Sequence, residues 1–80
     1  MYYVYILRSK NTNRYYIGST QNLDLRLKRH NAGGSVWTKR YKPWEIAYKE
    51  EFNTKKDMLN REKEIKNYKG GIQFKLLVTS

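Results

Sequence analysis

Two short runs, "YYVYILRS" (2–9) and "YYIGST" (15–20), flank the turn cluster "KNTNR". Both are rich in aromatic and β-branched residues and read as strands. The cluster between them is too short for a crossover, so the strands pair as a hairpin. A hairpin start excludes an all-parallel sheet and restricts what an 80-residue chain can build. Asn11 and Asn13 are candidates for positive φ in the turn. Gly18, inside the second strand, suggests a bulge or a close approach to the backbone.

"NLDLRLKRHNAGG" follows and predicts a helix from about 22 to 32, with Asn22 or Thr20 as cap, Asp24 in the first turn and Gly33-Gly34 as the stop. "SVWTKRYKP" reads as a basic loop. "WEIAYKEEF" (44–52) alternates and predicts a half-buried strand, with Trp44, Ile46, Tyr48 and Phe52 on one side and Glu45, Lys49 and Glu51 on the other. "TKKDMLNREKEIKNYKGG" opens with a capping-box-like Thr54 and Asp57 and runs as a helix to about 68, stopping at Gly70-Gly71. "IQFKLLV" fits a short helix or a strand equally well. The order is β-β-α-β-α plus a short C-terminal element. The expected fold class is α+β: a small, mostly antiparallel three-stranded sheet flanked by helices. No linker, repeat or composition break divides residues 1–80, so one domain is expected.

With no cysteine, neither a disulfide nor a thiolate–zinc site can staple the core. Apolar and aromatic side chains must supply it. Eight tyrosines suit that task, since each gives a ring to the core and keeps its hydroxyl at a wet edge. The lack of cysteine fits a reducing cytoplasm. "MYYVYILRSK" is too short and interrupted for a signal peptide or a membrane span.

The net charge is +10, and residues 1–43 carry +8 of it against +2 for residues 44–80. Such a surface suits a polyanion, nucleic acid foremost. An acidic membrane fits less well, because no helix pairs a basic face with a large apolar one.

On the first helix Leu23, Arg26, Leu27 and His30 share one stripe. On the second, Met58, Leu59, Glu62 and Ile65 do the same. Arg26 and Glu62 on inward stripes fit an internal ion pair, since an unpaired buried carboxylate costs several kcal/mol. They also fit a reaction centre. Tyr5, Tyr16, Arg26, His30 and Glu62 together could activate a water, hold a phosphate and bind a divalent metal.

These residues resemble the motifs of the GIY-YIG nuclease family. "Tyr3-Val4-Tyr5" stands at the first tripeptide, with Tyr3 in place of glycine, and "Tyr16-Ile17-Gly18" matches the second. Arg26 lies ten residues after Tyr16 and His30 one turn further, where the family carries arginine and histidine or tyrosine. Glu62, within "ArgGluLys" (61–63), matches the metal-binding glutamate. The likeness spans nearly the whole chain and is strongest to small stand-alone bacterial members. Larger members carry an asparagine some dozen residues after the glutamate; here Phe74 stands there and Asn67 comes early.

The resemblance implies metal-dependent hydrolysis of nucleic-acid phosphodiesters, most readily of DNA, in a role such as DNA repair. Glu62 would hold Mg²⁺ or Mn²⁺, with no small-molecule cofactor. Arg26 would grip a non-bridging oxygen through its planar fork. Either Tyr5 or Tyr16 would take the proton of the attacking water, and His30 could relay it. Gly18 would let substrate approach closely, and Lys28, Arg29, Lys39, Arg40 and Lys42 would contact phosphates. The other reading is a nucleic-acid-binding module that keeps the fold and cleaves little or nothing.

Overall fold

The computed structural model describes residues 1–33 and 36–79. Strands β1 (Tyr2–Ser9), β2 (Tyr15–Thr20) and β3 (Trp44–Phe52) form one antiparallel sheet in the order β2-β1-β3. Helix α1 spans Leu23–Asn31, α2 Val36–Arg40, α3 Lys55–Lys66 and α4 Ile72–Thr79. The expected α+β class holds. The segment expected as a basic loop contains the short helix α2, and the last element is a helix.

The caps explain where α1 and α3 begin. The Asn22 side chain accepts from the Leu25 amide at 3.0 Å, and Thr54 Oγ1 accepts from the Asp57 amide at 3.2 Å. Thr20 receives the Asn22 amide instead of capping α1. Gly33 takes φ +87° after α1, while its expected partner in the stop, Gly34, lies outside the described residues. Between α3 and α4 the chain reverses through Lys69 (φ +50°) and Gly70 (φ +74°). Neither Asn11 nor Asn13 takes positive φ. Asn11 instead donates from its side-chain nitrogen to the Lys42 carbonyl oxygen, tying the hairpin turn to the α2–β3 connection.

β1 is the central strand and is covered on both faces. Val4 and Ile6 pack with Met58, Ile65, Phe74 and Val78 from α3 and α4. Tyr5 and Leu7 pack with Trp44, against Tyr16, Leu23, Leu27, Tyr41 and Ile46. The helices therefore divide: α1 and α2 serve one face, α3 and α4 the other. Each fully buried aliphatic here contributes about 1.5–3 kcal/mol relative to exposure.

The simple alternation expected for β3 breaks. Ile6 pairs with Tyr48 but Leu7 pairs with Ile46, leaving Ala47 as an extra residue. The bulge puts Trp44 and Ile46 on the α1 face and Tyr48 and Phe52 on the α3 face. No bulge occurs at Gly18, which pairs in register with Tyr5. Leu59, expected on the buried stripe of α3, is 46% exposed. The buried stripe runs through Met58 and Ile65, with Glu62 half-buried between them.

Candidate active site

The α1 facing follows the expected stripe. His30 is buried, Leu23, Arg26 and Leu27 are half-buried, and Lys28 and Arg29 point to solvent. The helix thereby aims an imidazole and a guanidinium at the tyrosine-bearing hairpin. With the imidazole proton on Nδ1, the Tyr5 hydroxyl donates to His30 Nε2 at 3.1 Å. The Tyr16 ring lies 4.6 Å from that of His30 and 6.3 Å from that of Tyr5, between ring centres.

Gly18 makes this packing possible. It is buried, and a Cβ there would sit 2.6 Å from the Tyr5 hydroxyl oxygen. The group that approaches the backbone at Gly18 in this structure is the Tyr5 phenol.

Burial sets the protonation of the pair. It pushes the Tyr5 phenol up to about 12; Tyr16 and Glu62 act in the same sense, and Arg26 opposes them. Burial, followed by the charges of Arg26 and Arg29, lowers the His30 pKa. At neutral pH the pair is a protonated phenol against a neutral imidazole. Ionising Tyr5 at neutral pH would cost about 7 kcal/mol, at about 1.36 kcal/mol per unit. Tyr5 is also only 1% exposed. Both facts make it an anchor for His30, and leave half-buried Tyr16 as the more exposed tyrosine of the two. Tyr5→Phe should therefore strand the buried imidazole nitrogen, costing about 1–2 kcal/mol. A thermal melt should fall by roughly 5–15 °C; an unchanged melt would show that the bond contributes nothing.

Glu62 approaches from the opposite face of the sheet. Ser19, the residue after Gly18, points to the α3 face and donates its hydroxyl to Glu62 Oε1 at 2.6 Å. Lys66, one turn along α3, pairs with Glu62 Oε2 at 2.8 Å. Burial raises the carboxyl pKa, but Lys66 and Ser19 outweigh it and hold the pKa below its ordinary value. The group is ionised at neutral pH. The Arg26–Glu62 ion pair that the helical stripes allowed does not form; the carboxylate's cation is Lys66. Arg26 and Glu62 nevertheless act on the Tyr5 hydroxyl with opposite sign, the guanidinium lowering its pKa and the carboxylate raising it. The centre thus gathers around the β2 edge, with Tyr5, Tyr16, Arg26 and His30 from one face and Glu62 from the other. It is not a pocket on one sheet surface between helices.

Arg26 also lines a cleft of about 350 Å³, with Thr20, Gln21 and Asn22 before α1 and Lys55 and Met58 on α3. Two cations on its walls suit an anion. Lys39, Arg40 and Lys42 are exposed as expected. Ser19, Lys55 and Lys66 were not singled out from sequence. Period-two alternation does place Ser19 on the face of Ile17, which was the available signal.

The donor set can be tested against a metal. Among the described residues, no group of three or more His, Cys, Asp or Glu side chains converges. Glu62 is a single ionised oxygen donor beside the Ser19 hydroxyl. That set fits an ion such as Mg²⁺ or Mn²⁺, which keeps several waters and accepts one or two carboxylates plus phosphate oxygens.

The family model of the GIY-YIG catalytic domain matches residues 1–73 of this chain. The chain belongs to the GIY-YIG family, a family of nucleases. Its curated relatives include a UPF0213 protein of Staphylococcus haemolyticus, 38% identical over 95% of this chain and 93% of that one. A UPF0213 protein of Staphylococcus saprophyticus is 35% identical over the same shares. The solution NMR structure of a UPF0213 protein from Bacillus halodurans superposes with a TM-score of 0.58 at 30% identity, covering 99% of this chain and 88% of that one. No described helix is long and apolar enough to cross a membrane.

Proposed function

We propose that the protein is a metal-dependent endonuclease that hydrolyses phosphodiester bonds of DNA. The observation that carries this reading is the Tyr5–Tyr16–His30 cluster packed on Gly18, with Glu62 held by Ser19, the next residue along β2.

Arg26 binds a non-bridging phosphate oxygen and gains most as charge builds there in the transition state. Tyr16 gives its phenolic proton to solvent and then takes the proton of the attacking water as that water's oxygen bonds to phosphorus and the leaving oxygen departs. The buried Tyr5–His30 pair backs Tyr16 and fixes its ring. Glu62, oriented by Ser19, would hold Mg²⁺ or Mn²⁺ in place of the Lys66 ammonium, and a cation there would supply positive charge to the phosphate and the departing oxygen. Lys28, Arg29, Lys39, Arg40 and Lys42 hold the strand by its phosphates.

Labelled single-stranded, duplex and branched DNA incubated with Mg²⁺, Mn²⁺ or EDTA tests the reading. Cleavage with either metal and none in EDTA supports it. Binding without cleavage under every condition would instead establish a binding module. Phe74 at the place of the family's late asparagine is the feature that favours this second outcome.

Docking should be electrostatic. About four neutralised phosphates give a log–log salt slope near −3 on single strands and steeper on duplex. A flat response would show that the basic surface does not dock the substrate.

A further inference from the structure

The reaction centre leaves one prominent surface feature unused. On α2, Trp37 is 40% exposed and Val36 is 90% exposed. Tryptophan pairs a large apolar ring with a polar N–H and is enriched at contact surfaces. Trp37 is also held rigidly. Its ring stacks on buried Trp44 at 5.5 Å, and Tyr41 meets it edge-on at 5.1 Å. Trp44 is pinned in turn by its indole N–H, which donates to the Thr38 carbonyl oxygen at 2.8 Å. The Tyr41 carbonyl oxygen accepts from Ser9 Oγ at 2.6 Å, anchoring this segment to β1. The space beneath Trp37 is therefore taken, and the ring cannot withdraw into the core.

Two further facts define what could sit on it. Trp37 opens, with Val36, Lys39 and Arg40, onto a cleft of about 610 Å³. Its other ring neighbour is Tyr16, at 6.0 Å between centres. A row of rings thus runs from His30 through Tyr16 to Trp37, joining the reaction centre to a cationic cleft.

We infer that Trp37 is a stacking platform for one unpaired nucleobase beside the phosphate held at Arg26 and Tyr16, with Lys39 and Arg40 on flanking phosphates. This rests on the nucleic-acid reading above and specifies its substrate as single-stranded, or unpaired next to the cut. A flat apolar ring ringed by cations complements a base with its phosphates. A base inside a duplex is already stacked on both faces and cannot reach an indole without leaving its pair. Stacking uses the π-face that every base has, so the platform selects strandedness and not sequence.

Binding in EDTA separates this inference from catalysis. The probes are a short oligothymidylate, an abasic strand of equal length and charge, and a duplex. Wild-type protein should bind oligothymidylate about 10- to 100-fold more tightly than the abasic strand. Its indole fluorescence should be quenched by the former only. Trp37→Leu, which keeps apolar bulk, should remove that difference and leave the salt slope unchanged. Trp37→Phe, which restores a flat ring, should recover part of it and guards against misfolding as the cause. Lys39→Ala should weaken both strands equally and reduce the salt slope by about 0.7. Equal binding of the two strands by wild-type protein, or an unchanged preference in a folded Trp37→Leu, overturns the platform while nucleic-acid binding stands. Failure of wild-type protein to bind any of the three probes overturns both.

Discussion

Glu62→Gln is expected to abolish metal-dependent cleavage while leaving the fold and DNA binding intact. Glutamine is nearly isosteric and can still accept from Ser19, so the α3 contact to β2 survives. What disappears is the negative charge, and with it a carboxylate that raises the Tyr5 pKa. A neutral amide is a poor ligand for a hard cation that surrenders water reluctantly. The loss of the Lys66 pair is minor, because that lysine is more than half exposed. Single-turnover cleavage, thermal melting and DNA binding measured side by side check this. Cleavage at the wild-type rate would remove Glu62 from the reaction. A collapsed melt would make it a structural residue.

The second large effect is expected at Arg26. Arg26→Lys keeps the charge and loses the two-pronged fork, so DNA should bind nearly as well and be cut far more slowly. One such transition-state contact typically accounts for ~100- to 1000-fold, or about 2.7–4 kcal/mol. Lys28→Ala is the control. Lys28 sits two residues along the same helix but points to solvent. Its loss should weaken binding modestly and leave the single-turnover rate at saturating protein unchanged. If Lys28→Ala slows that saturated rate as much, the facing of α1 is not what organises the site.

Much of this was legible in the residues themselves. The three strands were readable to their ends because aromatic and β-branched runs are bounded by clear turn and cap residues. The α1 facing was readable because Leu23, Arg26, Leu27 and His30 fall on one stripe at i, i+3, i+4 and i+7, and Leu25, off that stripe, is 55% exposed. Four features were hidden, each for a physical reason. Helix α2 has five residues, too few for a 3.6-residue period to register. The bulge at Ala47 left the sequence alternation of β3 intact while turning Tyr48 to the other face. Leu59 sits beside Met58 with equal apolarity, and only the angle at which α3 crosses the sheet decides which is buried. The sharing of one centre between both faces was hidden for a related cause. Gly18 and Ser19 are neighbours in sequence but point to opposite sides, so Tyr5 and Glu62 converge only at a sheet edge.

That convergence is the central claim, and Mn²⁺ titration of isotope-labelled protein followed by NMR tests it most directly. Paramagnetic broadening is expected first at Ser19 and Glu62, spreading across β2 to Gly18, Tyr5 and Arg26, and absent from these positions in Glu62→Gln. Broadening centred away from the β2 edge, or the same pattern in Glu62→Gln, would contradict a single metal-assisted centre built from both faces of the sheet.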